Sequence, residues 1–217
     1  MSALPRRCFR LRSPPESPHG GEARIKAARF PARKTLEEFY FSFQRSVMRQ
    51  VVEHLGQLDF LHAKENVVLL GPPGTGKTHL AIAISIRACL AGQRVQFASA
   101  TEWVARLSDA KRQGKLEAEL RRLGFVRLLV IDEVGYIPFD PEAANLMFSL
   151  VSARYERASL IVTSNKPFSG RGEIFGDEVV AAANDRPARP PRRDLALKQR
   201  GAKCAAAVLL ITRGIGP

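Results

Sequence analysis

The sequence predicts an α/β fold of three layers, a parallel sheet flanked by helices on both faces. Two observations predict it. Between residues 64 and 180, short apolar runs alternate with longer segments of helical periodicity. A strand buried on both faces has no polar side to show, so it reads as an unbroken hydrophobic run. The first such run also passes through a glycine-rich octapeptide straight into a helical pattern, the strand-loop-helix order of phosphate-binding folds. The strands are expected at 66–70, 94–98, 127–131 and 159–163. The helices are expected at 77–90, 101–112, 115–122 and 141–156, with Pro138 and Pro141 punctuating the loop before the last.

The octapeptide is Gly71-Pro72-Pro73-Gly74-Thr75-Gly76-Lys77-Thr78. It fits G-x-x-x-x-G-K-[ST], the phosphate loop of nucleotide triphosphatases. Glycines let the backbone curl until several N–H groups face one anion-sized hollow, and Lys77 brings a positive charge to the terminal phosphates. The Thr78 hydroxyl suits Mg²⁺, and the helix that follows from Lys77 and His79 aims the positive end of its dipole at the same place. The context agrees. Asn66–Leu70 ahead of the loop is a buried-strand run, and the helical pattern behind it stops at Gly92.

A phosphate loop alone gives binding; hydrolysis also needs a metal anchor and a base. Leu128-Leu129-Val130-Ile131-Asp132-Glu133 is four apolar residues followed by two acids. A buried parallel strand delivers such acids at its carboxyl end, where parallel sheets hold ligands. Asp132 is then placed to hold Mg²⁺ and Glu133 to deprotonate an attacking water. Leu160-Ile161-Val162-Thr163-Ser164-Asn165 ends in polar residues at the same edge, and Asn165 is placed to bridge that water and the γ-phosphate. Read alone, Asp-Glu could simply end a strand, and Asn165 could simply form the turn before Lys166-Pro167.

The ends have another character. Net charge is +13, with nine Lys/Arg against two acids in residues 1–34 and eight against two in 181–217, while 35–180 holds seventeen of each. Residues 1–22 are rich in Pro, Arg, Ser and Gly and are expected to be disordered. Residues 23–63 form a helical lead-in, in which Val47, Val51, Leu55 and Leu58 recur at helical steps. Residues 64–183 are the core. Residues 184–217 read as a basic, proline-rich tail, expected to be disordered, with the apolar Ala205–Ile211 run as an aggregation hazard. Basic tails are usually solvated, and nucleic-acid contact is the functional alternative. Cys8, Cys89 and Cys204 are widely spaced without a C-x-x-C pair, which points to a reducing cytosol. No secretory leader or membrane span is read.

The phosphate loop, the acid pair and Asn165 resemble the Walker A, Walker B and sensor-1 elements of AAA+ ATPases, in that order. Further blocks narrow the resemblance: Arg29-Phe30-Pro31-Ala32-Arg33-Lys34-Thr35-Leu36-Glu37-Glu38-Phe39, Gln57-Leu58-Asp59-Phe60-Leu61, Asp132–Asp140, and Thr163–Phe168 followed by Gly172–Asp177. Over roughly residues 23–183 these are similar to the IstB-like family, the ATP-binding transposition helpers of bacterial insertion sequences, related to DnaC-type helicase loaders. The resemblance implies an ATP- and Mg²⁺-dependent AAA+ homo-oligomer in the bacterial cytoplasm, associated with the nucleoid. It further implies that the oligomer grips duplex DNA without sequence preference and regulates a partner transposase.

Two departures accompany the resemblance. Family members carry a helical domain ahead of the Arg-Phe-Pro block, where this chain has residues 1–22. After Ala183 the family continues as a helix bearing an arginine finger, whereas this chain reads Asn184-Asp185-Arg186-Pro187. Arg186 is the candidate finger, although Pro187 would break such a helix. A shift of reading frame is the expected origin of residues 184–194, with a divergent tail as the alternative, and the coding DNA would decide it. Three alternatives stand beside the transposition helper: a DnaC-like helicase loader, a remnant that binds nucleotide without turnover, and a DNA-binding protein without ATPase activity.

Overall fold

The computed structural model describes residues 18–44, 47–136, 139–165 and 208–212. Its elements in chain order are α1 (Pro18–Ala28), α2 (Arg49–Gly56), α3 (Asp59–Ala63), β1 (Asn66–Leu70), α4 (Lys77–Leu90) and β2 (Val95–Ser99). There follow α5 (Ala100–Arg112), α6 (Leu116–Gly124), β3 (Leu128–Val134), α7 (Pro141–Ser152), β4 (Ser159–Ser164) and β5 (Val208–Thr212). The sheet runs β2-β3-β4-β1-β5, with β1 to β4 mutually parallel. Because β4 is inserted between β1 and β3, the carboxyl ends of the phosphate-loop strand and the two-acid strand flank Ser164.

Alternate residues along each strand feed two cores, as strand geometry requires. Val67, Leu69, Leu128, Val130 and Ile161 face α4 and the lead-in helices. Val68, Leu70, Leu129, Ile131, Leu160 and Val162 face α5, α6 and α7. The three-layer expectation holds. Helix starts follow local chemistry: Ser99 and Glu102 form a reciprocal capping box on α5, and Asp140 accepts from the Ala143 N–H with Pro141 in the first turn of α7.

The lead-in departs from expectation. Residues 18–22, expected to be disordered, belong to α1, which packs on α4. A Cβ on the buried Gly21 would meet Leu90 Cδ2 at 3.0 Å, so glycine here permits close helix approach rather than disorder. The expected single helix through Val47–Leu58 is cut to α2 because Leu58 takes a left-handed conformation with φ 66°. Phe39, Phe41 and Phe43 lie in the irregular segment ahead of α2. Phe39 is buried, while Phe43 is exposed.

The apolar window expected to lie in an unstructured tail supplies β5. Residues 208–212 pair antiparallel with the whole of β1, Asn66 opposite Thr212 through Leu70 opposite Val208. The physical reason is that β1 would otherwise leave a row of backbone groups unpaired along its outer edge. Arg186 and the rest of 166–207 lie outside the described residues.

A buried arginine closes the base of the sheet. Arg154, 1% exposed, donates to the carbonyls of Leu123, Val126 and Ser159 at 2.7, 2.9 and 2.9 Å. It ties the end of α6, the entry to β3 and the start of β4 together. Burial pushes its guanidinium down to about 10.

Candidate functional site

The phosphate loop turns on glycines at positive φ, Gly74 at 78° and Gly76 at 83°. At Gly76 space matters as well as conformation: an added Cβ would lie 2.5 Å from Phe39 Cε2. Phe39 also meets the His79 ring edge-on, and His79 Nε2 lies 2.8 Å from the Thr35 carbonyl. A carbonyl only accepts, so Nε2 carries the ring proton. The lead-in is thereby clamped onto the first turn of α4.

Lys77 points back along the loop, donating to the carbonyls of Gly71 at 2.6 Å and Pro72 at 2.8 Å. Burial holds its ammonium below the usual lysine range, against the pull of Asp132 and then Glu133. Thr75 Oγ1 donates to Pro72 O at 2.8 Å, and the Gly71 N–H donates to Ser164 O at 3.1 Å. Those bonds fix the loop to itself and to the end of β4.

Thr78 Oγ1 stands 3.0 Å from both carboxylate oxygens of Asp132. Asp132 is 5% exposed and also accepts a short hydrogen bond from Thr163 Oγ1, whose own oxygen accepts the Glu133 N–H at 2.9 Å. Glu133 has φ 60° and sits where the β3–β4 register shifts, so its side chain is exposed while its neighbours on β3 are buried. One cleft of about 350 Å³ is lined by Gly74, Lys77, Thr78, Glu133 and Asn165, among others. Asn165 Oδ1 is buried in it without a hydrogen-bond partner among the described residues. Pro72, Thr75 and Asp132 stand behind that lining, while Pro73 and His79 belong to it.

These residues fit Mg²⁺. Thr78 spends its proton on Asp132 and keeps oxygen lone pairs, and a lone carboxylate beside a hydroxyl suits a cation that takes its remaining ligands from phosphate and water. No cluster of three or more His, Cys, Asp or Glu exists among the described residues. Residues whose part the sequence did not foretell are Thr163, Ser164 and Tyr136, the last exposed at the cleft mouth. A hydroxyl directly after the apolar run Leu160–Val162 was the available signal for Thr163.

Residues 20–186 match the family described as IstB-like ATP binding protein. The chain belongs to that family. It is 51% identical over 164 residues to an IS21 insertion-sequence ATP-binding protein of Pseudomonas aeruginosa, covering 76% of this chain and 62% of that one. It is 45% identical over 159 residues to the corresponding IS5376 protein of Geobacillus stearothermophilus, covering 73% and 63%. The chain therefore spans less than two thirds of the length of these relatives. Among solved structures, AMPPCP-bound DnaA from Aquifex aeolicus superposes with TM-score 0.58 at 20% identity, covering 70% of this chain and 48% of that chain. A DnaC helicase loader superposes with TM-score 0.51 at 20% identity, covering 73% and 92%. These likenesses establish the AAA+ P-loop fold of the IstB-like chain. No described helix is long and apolar enough to cross a membrane.

Proposed function

We propose that this IstB-like protein binds MgATP in the cleft at the carboxyl ends of β1, β3 and β4, hydrolyses it, and uses the cycle to act on duplex DNA with a partner transposase. The observation that carries the reading is the convergence of Lys77, Thr78, Glu133 and Asn165, from three elements, on one cleft. Lys77 exchanges the Gly71 and Pro72 carbonyls for phosphate oxygens, which a lysine ammonium favours as a stronger charge partner. Thr78 and Asp132 would hold Mg²⁺, which when bound neutralises charge on the phosphates. Glu133, whose backbone turns it out of the sheet, takes the proton of the attacking water. The side-chain amide of Asn165, whose Oδ1 has no partner among the described residues, orients that water against the γ-phosphate.

DNA contact is supported by Lys111, Arg112 and Lys115 at the exposed α5–α6 turn, where Lys111 pairs with Glu142 and Arg112 with Asp109 in exposed ion pairs that phosphate can replace. The transposase assignment is supported by the insertion-sequence names of relatives at 45–51% identity, against 20% for the helicase loader. The test is ATPase rate against protein concentration, with and without duplex DNA. Steep, DNA-stimulated turnover supports an assembling helper, whereas tight nucleotide binding with no turnover at any concentration means a nucleotide-binding remnant. Pull-down against the transposase of the same insertion sequence and against a replicative helicase decides the partner.

A further inference from the structure

β3 and β4 pair Ile131 with Val162 and next pair Val134 with Ser164. Two residues on β3, Asp132 and Glu133, therefore stand opposite one residue on β4, Thr163. That is a β-bulge, in which the ladder loses a hydrogen bond and the bulged strand bends. The two bulged residues are the two acids of the site. Thr163 is 1% exposed and follows the buried apolar residues Leu160, Ile161 and Val162 of β4.

We propose that Thr163 is the positioning residue for both acids, a role that rests on the hydrolytic reading above. Its hydrogen bonds run one way only. A backbone N–H can only donate, so the Glu133 amide at 2.9 Å takes a lone pair of Thr163 Oγ1. The single hydroxyl proton is then directed to Asp132 Oδ1. The carboxylate receives two hydroxyls, Thr163 on one side and Thr78 on the other, which fixes its plane toward the phosphate loop. The same hydroxyl replaces the ladder bond that the bulge removes, holding Glu133 at φ 60°, a conformation that glutamate adopts only under constraint. One side chain thus sets the metal anchor and aims the base.

The test compares Thr163→Val, which keeps shape and loses both hydrogen bonds, with Thr163→Ser, which keeps them. ATP affinity is measured in EDTA and again with Mg²⁺, and exchange of the Glu133 amide is followed by NMR on the protein without nucleotide. The expected result is EDTA affinity within about threefold of the parent for both variants, since the phosphate loop is untouched. The affinity gained on adding Mg²⁺ falls about tenfold or more in the valine variant and returns in the serine variant. The Glu133 amide, protected in the parent, exchanges at least about tenfold faster in the valine variant. Equal loss of affinity with and without Mg²⁺ would reduce Thr163 to a general structural part and overturn the proposal. So would an unprotected Glu133 amide in the parent protein, a result that needs no folded variant and no bound nucleotide. Failure of the parent to bind ATP under either condition would instead overturn the functional reading.

Discussion

Thr78 and Asp132, fifty-four residues apart in the chain, meet with the threonine hydroxyl 3.0 Å from each carboxylate oxygen. The contact joins the first turn of α4 to the end of β3 across the inserted β4. It sets the two groups that would hold Mg²⁺ in place before any nucleotide arrives.

Thr78→Val removes that hydroxyl while keeping the volume. ATP affinity in EDTA is expected to stay within about threefold of the parent, and the Mg²⁺-dependent gain to drop by about tenfold or more. Isothermal calorimetry under both conditions reads it. Retention of the full Mg²⁺ gain would remove Thr78 from the metal site.

The two positive-φ glycines of the phosphate loop separate conformation from space. At Gly74 an added Cβ meets nothing within 4 Å, so Gly74→Ala brings backbone strain alone, about 1–2 kcal/mol. At Gly76 the same strain is joined by a clash with Phe39. Urea denaturation is expected to show the larger loss in Gly76→Ala, and Gly76→Ala with Phe39→Ala to recover none of the φ strain. Equal losses would mean that Phe39 does not pack on the loop.

Lys77 gives a pH signature. Burial holds its free-state ammonium below the ordinary 10.5, and bound phosphates raise it again. Binding in the alkaline range below 10.5 therefore takes up protons, and affinity falls as pH rises. Lys77→Arg, charged throughout, flattens the dependence. Calorimetry in buffers of different ionisation enthalpy measures the uptake, and proton release on binding would contradict the assignment.

Arg154→Met removes a buried donor from the carbonyls of Leu123, Val126 and Ser159, of which Leu123 keeps the Val126 N–H, and is expected to cost about 2–4 kcal/mol in urea denaturation. The exposed Arg157, substituted in the same way, is expected to change stability by no more than about 0.5 kcal/mol. Similar small losses at both positions would mean that the three carbonyls find other donors.

β1, β3 and β4 were legible because their apolar runs are buried on both faces, and α4 was legible to its ends because Lys77 and Gly92 bracket its periodicity. The acids were legible as a pair closing an apolar run. Their bulge was not, since a register shift depends on the neighbouring strand, and no local pattern in Ile131–Val134 announces that Thr163 will oppose two residues. The first turn of α1 was missed because glycines at 20 and 21 signal disorder until Leu90 is seen packed against Gly21. β5 was missed because pairing to the β1 edge is a long-range event that composition near Val208 cannot show.

The central claim is that this cleft uses ATP rather than only holding it. ATP affinity and phosphate release measured on the same samples of the parent and Glu133→Gln test it most directly, with Lys77→Ala as the variant that should not bind. Glu133→Gln is expected to bind MgATP within a few-fold of the parent and to release phosphate at least about a hundredfold more slowly. Phosphate release at the same rate in both proteins would place the base elsewhere, and none from either would mean that the cleft binds without turning over.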